Sequence, residues 1–479
     1  MKYVSGGWLW CGVIVWFLLV FTGSPKGWAV TVEDVLLENK QITVDQWVLI
    51  KAEEEKREAK ALQESRGIGD TPVRERWYEK INIRGYAQLR YSHTIDNDLL
   101  RSNQADRSVS GNNEAFLRRA RLIVSGQPHE RVFVYIQPEF AGAVGGSEQV
   151  AGLRDFYADL FLTQNKEWRI RAGLSKVPFG FENMQSSQNR LALDRNDAIN
   201  SAFPNERDIG LFLYYTPTAV RERFRRLVDS GLKGSGDYGM LGIGVFNGQG
   251  INVRDRNKDK HIVFHAMYPF EFPNGQILEV GMDAYRGQFN VSTAPVVPLD
   301  VNQAGGQAFA PRVTNNGNYL DERIAWHLTL FPQPFGFQAE YMIGRGPELN
   351  EARTDVVLNN VRGGYLQVFY RYQCDTFCQY IYPFFRVQEY FGGRKSEPNA
   401  PRNSVREWEL GLEYQLNRAF ELAVSYSWTQ RNTSDATFSP VGNPPGACAV
   451  AGSGFGPCLQ NPYQLQAGNL LRFQLQWNF

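Results

Sequence analysis

Only one stretch of this chain is both long and apolar, the charge-free run from Trp8 to Phe21. A bilayer-crossing helix needs roughly twenty apolar residues, and this run is too short. With no second run of its kind, a helical membrane protein is excluded. An excess of either charge is also missing, since 51 Lys and Arg face 50 Asp and Glu. That balance gives no basic footprint for nucleic acid. Cysteine and histidine are scarce at 5 each, and neither a G-x-S-x-G nucleophile elbow nor an H-E-x-x-H zinc motif occurs. His261 and His265 stand four apart on an expected strand, about thirteen ångströms from each other, too far to share a metal.

The charge-free run has the layout of a signal peptide. Lys2 supplies the basic start, a polar stretch runs through Lys26, and the small residues Gly27 and Ala29 follow. Cleavage is predicted after Ala29. Cys11 lies inside the run and not at its end, which argues against a lipoprotein. Loss of Lys2 and Lys26 leaves the mature chain with one fewer base than acids. Export permits disulfides among the remaining Cys374, Cys378, Cys448 and Cys458. Cys374 and Cys378 flank Asp375-Thr376-Phe377, a span short enough to be a turn whose ends could bridge. No histidine lies near them, so a disulfide or free thiols are favoured over a metal.

Residues 30–79 are expected to form a periplasmic helical segment. Val32, Val35 and Leu36 have helical spacing, and Thr43 with Gln46 makes a capping-box pattern. From Lys51 to Arg66 the sequence is almost wholly charged and has no broad apolar face. This segment is either a solvated spacer or a weak self-association element through Leu37, Trp47 and Ile50.

From residue 80 the period changes to two. Ile81, Ile83, Ala87, Leu89 and Tyr91 alternate with Asn82, Arg84, Tyr86, Gln88 and Arg90. The chain closes the same way, with Leu471, Phe473, Leu475, Trp477 and Phe479 set between polar residues. Such segments recur near 81–91, 116–126, 132–140, 153–163, 168–175, 207–215, 238–247 and 260–270. Eight more fall near 276–285, 321–331, 335–343, 362–373, 378–388, 404–416, 419–430 and 467–479. About sixteen strands, an even number, together with 45 glycines, 13% aromatics and a negative mean hydropathy, predict an all-β fold. The expected architecture is a transmembrane antiparallel barrel over 80–479 with a wet interior. Short connections at 127–130, 164–167, 332–334 and 417–418 contrast with long ones at 92–115, 176–206, 286–320 and 431–466. Short periplasmic turns and long outer loops have this asymmetry. The stretch 216–237 is the exception, falling where a short turn belongs.

If the apolar face meets outer-membrane lipid, Arg84, Arg90, Arg119, Arg121, Arg169 and Arg171 point into the lumen. Guanidinium groups keep their charge and grip phosphate or carboxylate with two parallel bonds, so a row of them can guide anions. The alternative is plain solvation of a wet wall. Asp155, Asp159, Glu279, Asp283, Glu407, Glu409, Glu413 and Glu421 fall on the same face, so the lumen is mixed and either field is shortened. The third long loop, 176–206, adds Lys176, Arg190 and Arg195 against Glu182, Asp194 and Asp197. Its apolar stretches, Phe179 to Phe181 and Leu191 to Leu193, would gain by packing on the barrel wall. That loop is expected to fold inward and narrow the pore.

Four patterns carry a resemblance. They are Arg118-Arg119-Ala120-Arg121-Leu122, the run from Arg171 to Gly180 (RAGLSKVPFG), Arg207-Asp208-Ile209-Gly210 and Val245-Phe246-Asn247-Gly248. In this order, and with the terminal Phe479 that looks like a barrel-insertion signal, they resemble the phosphate-selective porin O and P family over residues 80–479. The resemblance implies a sixteen-stranded, usually trimeric channel with an arginine track and lysines near its constriction. Lys176 matches the pattern, but no lysine cluster accompanies it, so phosphate, other small anions and unselected polar solutes all stand as cargo. Passive transport without a cofactor is the expected function. An outer-membrane lipid hydrolase and a non-conducting structural or receptor barrel are the rival classes.

Overall fold

In the computed structural model the two-residue alternation becomes a sheet closed on itself. The structure describes residues 80–95, 114–144, 147–203, 205, 207–293, 317–351, 354–374, 376–433, 447–449, 455–457 and 464–479, preceded by Glu53, Lys56 and Arg57. The chain divides into two units, Met1–Glu75 and Arg76–Phe479. The three described residues of the first are helical and exposed. The expected signal peptide and nearly all of the segment 30–79 lie outside the described residues.

Sixteen long strands build the second unit: β1 (Ile81–Thr94), β2 (Glu114–His129), β3 (Val132–Val144), β4 (Ser147–Phe161), β5 (Trp168–Lys176), β6 (Arg207–Tyr215), β7 (Leu241–Phe246) and β8 (His261–Glu271). The chain continues with β9 (Ile277–Asn290), β10 (Asn318–Leu330), β11 (Phe335–Leu349), β12 (Val356–Tyr370, extended by Tyr372–Gln373), β13 (Tyr380–Gly393), β14 (Arg402–Gln415), β15 (Phe420–Thr433) and β16 (Gln464–Asn478). Each pairs antiparallel with its sequence neighbours, and β1 also pairs with β16, which closes the ring. Closure abolishes the sheet edges. The last residue takes part in it: Gly85 N–H donates to the Phe479 carbonyl at 2.7 Å, and Phe479 N–H returns a bond to Gly85 at 3.0 Å.

The partition of side chains is inverted relative to a soluble protein. Ile83, Ile209, Ile262, Trp408 and Leu410 lie outside with more than half of their surface exposed, while Gln88, Arg90, Asp283 and Glu413 are buried inside. An apolar exterior and a polar interior are what a sheet immersed in lipid requires. Some inward glycines make room for rings. A Cβ on Gly244 would stand 2.1 Å from the Phe212 ring, and one on Gly281 would stand 2.0 Å from that of His327.

All sixteen expected strands form, and several run further toward the long connections than the alternation suggested. β9 reaches Asn290 and β11 reaches Leu349, because ladder hydrogen bonds continue above the level where outward residues stop being apolar. β7 is shorter than expected, since residues before Leu241 belong to the exceptional stretch. There α3 (Thr218–Asp229) replaces a turn; two shorter helices, α1 (Phe181–Met184) and α2 (Asp197–Ala202), lie in the third loop. Val220, Phe224 and Leu227 give α3 one buried stripe at helical spacing. Gly231, at φ 66°, ends it: its N–H bonds Val228 O while that of Leu232 bonds Leu227 O, a Schellman closure. At the same end of the barrel Cys374 and Cys378 form a disulfide, Cα atoms 5.4 Å apart; the side chains of Cys448 and Cys458 lie outside the described residues.

Candidate functional site: the inner wall and the third loop

The third loop leaves β5 and crosses the lumen. Val177, Phe179, Phe181, Leu191 and Leu193 are all buried, and the Phe179 ring meets Phe203 and Tyr285 edge-on at 5.5 and 4.9 Å. Gly180 makes the first bend at φ 85°, where a Cβ would press on Ile199 and Glu340. The N–H groups that follow are seated on wall carboxylates. Gly180 donates to Asp283 on β9 at 2.8 Å, Phe181 to Glu340 on β11 at 2.8 Å, and Glu182 to Glu340 at 3.3 Å.

The loop's own acids then take wall arginines. Glu182 meets Arg386 of β13 at 2.6 Å, Asp197 meets Arg431 of β15 at 2.8 Å, and Asp194 meets Arg90 of β1 at 2.8 Å and Arg472 of β16 at 2.6 Å. Burial works to raise the Glu182 and Asp197 carboxyls. Arg386 overcomes it at Glu182, and Arg431 with Arg394 at Asp197, so both stay below the usual carboxylate range. The contacts named so far tie the loop to seven strands, counting Ser201 on Arg323 of β10 at 2.7 Å, and Arg121 of β2 adds a bond to Ser187 at 3.1 Å. Truncating one partner of such a buried pair strands the other charge, which is why the loop is fixed in place.

The residues expected to form an anion track fall into three situations. Arg84 is exposed at the turn end of β1. Arg90, Arg121, Arg169 and Arg171 are buried and occupied: Arg121 by Glu139 at 2.5 Å and Tyr86 at 2.7 Å, Arg171 by Asp159 at 2.7 Å beneath the Tyr157 ring at 3.9 Å, and Arg169 by Asp237 at 2.7 Å. Lys176 donates to the Met184 and Gln185 carbonyls and Arg195 to Asn183, so both brace the loop from within.

Arg119 differs. Its guanidinium donates to Gln88 at 2.6 Å and meets no carboxylate among the described residues, while Arg90, Arg118, Arg121 and Arg190 surround it. Toward the loop end lies a polar cavity of about 540 Å³ whose lining includes Arg118, Arg195, Arg256, Arg394 and Lys395 against a single acid, Glu397. Burial lowers the Lys395 ammonium to about 8, with the Arg323 charge adding to the effect and Asp321 opposing it.

The facing wall is richer in acids and histidine. His265 is paired with Asp283, and His327 stands 3.3 Å from Glu279. Among the described residues no group of three or more His, Cys, Asp or Glu side chains is placed to hold a metal. Arg323, Arg386, Arg431, Arg472 and Lys395 were missed as functional candidates. Strand alternation puts the four arginines on the inner face, as it did for the earlier ones; Lys395 sits in a loop where no periodicity applies.

Residues 89–443 match the profile of the phosphate-selective porin O and P family. The chain belongs to that family. This porin resides in the cell outer membrane as a passive channel. Among curated protein sequences nothing matches it. Similar solved structures include the outer membrane channel DcaP of Acinetobacter baumannii, 13% identical over 83% of this chain and 97% of that one with a TM-score of 0.45. OprB of Pseudomonas putida at high pH is 11% identical over 84% and 94%, TM-score 0.45. An anion-selective porin from Comamonas acidovorans is 9% identical over 83% and 99%, TM-score 0.43.

Proposed function

We propose that this porin passes small polar solutes with a preference for anions such as phosphate, and that Arg119 is the centre of that preference. The supporting observation is the contrast in pairing: Arg119 has an amide neighbour and four guanidiniums around it, whereas most inner arginines have a carboxylate. A cation cluster held at a low-dielectric wall focuses its field into the lumen. Asp194 and Glu139 take up the charge of the neighbouring Arg90, Arg118 and Arg121, the basic cavity above collects anions, and the wall acids keep the preference modest.

Diffusion down a gradient asks for no catalytic step and no cofactor, and this reading gives the chain no enzymatic role. The signal peptide to Ala29, a periplasmic segment over 30–79 and assembly as a homotrimer, as the family resemblance implies, complete the proposal. Reversal potential in a planar bilayer under a KCl gradient tests it. Arg119→Gln should move the potential toward cation selectivity, and phosphate added to wild type should depress the chloride current. A variant with the wild-type potential at low salt would leave unselected polar solutes as the better reading.

A further inference from the structure

Tyr215 ends β6 and Leu241 begins β7, two strands that lie side by side. Adjacent antiparallel strands need as few as two connecting residues, yet the chain spends residues 216–240 here. Its path explains the length. From β6 the segment runs through α3, whose buried Val220 and Phe224 pack with Met184 of the third loop and Met267 of β8. Leu227 and Leu232 pack with Phe181, Ile277 and Phe331.

Beyond α3 the segment reaches the far wall. Tyr382 on β13 donates its hydroxyl to the Gly231 carbonyl at 2.8 Å, Arg371 donates to the Ser230 carbonyl at 3.1 Å, and Lys233 pairs with Glu413 on β14 at 2.5 Å. β14 is the eighth strand on from β6 in a ring of sixteen, so Lys233 sits diametrically opposite the strand from which the segment departed. The return leg is fixed by Asp237 on Arg169 of β5. Burial opposes the charge on Lys233, but Glu413 and Glu421 outweigh it and hold the ammonium protonated.

We propose that residues 216–240 form a strap across the short-turn mouth of the barrel and act as a second constriction in series with the third loop. The two obstructions are continuous: Gln185 of the loop donates its amide to the Lys233 carbonyl at 2.7 Å, and Phe181 and Met184 lie on the strap's apolar stripe. A solute that clears the loop therefore meets a partition that divides the exit, and the narrower exit limits the size of what passes. The inference rests on the passive-channel reading and adds where its size limit is set.

The test replaces residues 217–239 of the full chain by Asn-Gly, leaving the third loop intact. Single-channel conductance should rise by about twofold, because the mouth is no longer divided, and liposomes carrying the variant should swell in larger oligosaccharides than wild-type liposomes do. A folded barrel, judged by heat-modifiable gel mobility, with unchanged conductance and size limit would overturn the strap. Should that variant fail to fold, Ser230→Cys reacted with a bulky maleimide places an obstruction on the strap's exposed surface. Conductance should then fall, and an unaltered current after complete labelling would overturn the proposal equally. A wild-type protein that passes no current at all would instead remove the channel reading itself.

Discussion

The inner walls of β1–β2 and β4–β5 are both lined by arginine, but Arg119 on the first and Arg171 on the second are in opposite states. On β4–β5, Asp159 stands opposite Arg171 in the register and accepts two of its hydrogen bonds, with Tyr157 covering the guanidinium. On β1–β2, the residue opposite Arg119 is Gln88, which supplies one neutral acceptor. A guanidinium with a carboxylate partner contributes little field beyond it, while one facing an amide keeps its charge for the lumen. Arginine on the inner face is therefore not one functional class. The partner across the ladder divides it into structural braces and candidate anion contacts.

The largest effect should come from breaking a brace. Asp159→Asn leaves Arg171 buried without its counter-charge and should lower stability by about 3–5 kcal/mol, read as a fall in the unfolding temperature of the detergent-solubilised barrel. The double variant Asp159→Asn/Arg171→Gln should recover a large part of that loss, since neither charge is then stranded. If the single and double variants unfold alike, the pair is not a brace.

The outer surface of the same barrel supplies the next contrast. Leu410 faces outward in the middle of β14 with 60% of its surface exposed, and Leu410→Arg should cost about 2–4 kcal/mol, the range for a cation near the bilayer midplane. Folding into lipid vesicles would measure it, and a neutral outcome would place Leu410 at a headgroup level or against water.

Arg119→Gln should leave stability nearly unchanged and alter transport instead. Losing one charge near the permeation path is worth about 1 kcal/mol, roughly a fivefold fall in the anion-to-cation permeability ratio. The effect should shrink at one molar salt, where the Debye length is about 3 Å. Arg171→Gln, by comparison, should shift stability more than selectivity. The reverse pattern would exchange the roles assigned to the two arginines.

The smallest effect concerns pH. Lys395 lines the basic cavity in an ion pair with Asp321, its ammonium lowered to about 8, so it is charged below that pH and neutral above it, and the paired carboxylate keeps its field small. Raising the pH from 7 to 9 should lessen anion preference, and Lys395→Met should remove the step. Because the folded state holds this proton less tightly than the unfolded chain does, the same group makes stability rise with pH from about 8 toward the ordinary lysine range. A pH-independent selectivity in wild type would dissociate Lys395 from the pore.

Much of the barrel was legible because lipid outside and water inside impose a period of two on every strand. Strand number, the lumen-facing acids Asp155, Asp159, Glu279, Asp283, Glu409, Glu413 and Glu421, and the inward course of the third loop all follow from that pattern and from the loop's apolar residues. Pairing was not legible. Arg119 and Arg121 are two residues apart with the same orientation, and only the neighbouring strands decide that one meets Gln88 and the other Glu139 and Tyr86. The stretch 216–237 was visible as an anomaly of length, but neither its helix nor its course across the mouth could be read from the alternation.

The sequence by itself determined the closed sheet, its inside and its outside, because side-chain alternation is a local property that each strand carries regardless of its partners. Which charges remain available in the lumen was decided only by the tertiary structure. Pairing depends on register between strands and on loops such as 177–206 that reach walls more than a hundred residues away in the chain, as Asp194 does to Arg90 and Glu182 to Arg386, and at those separations no local pattern specifies which charge meets which.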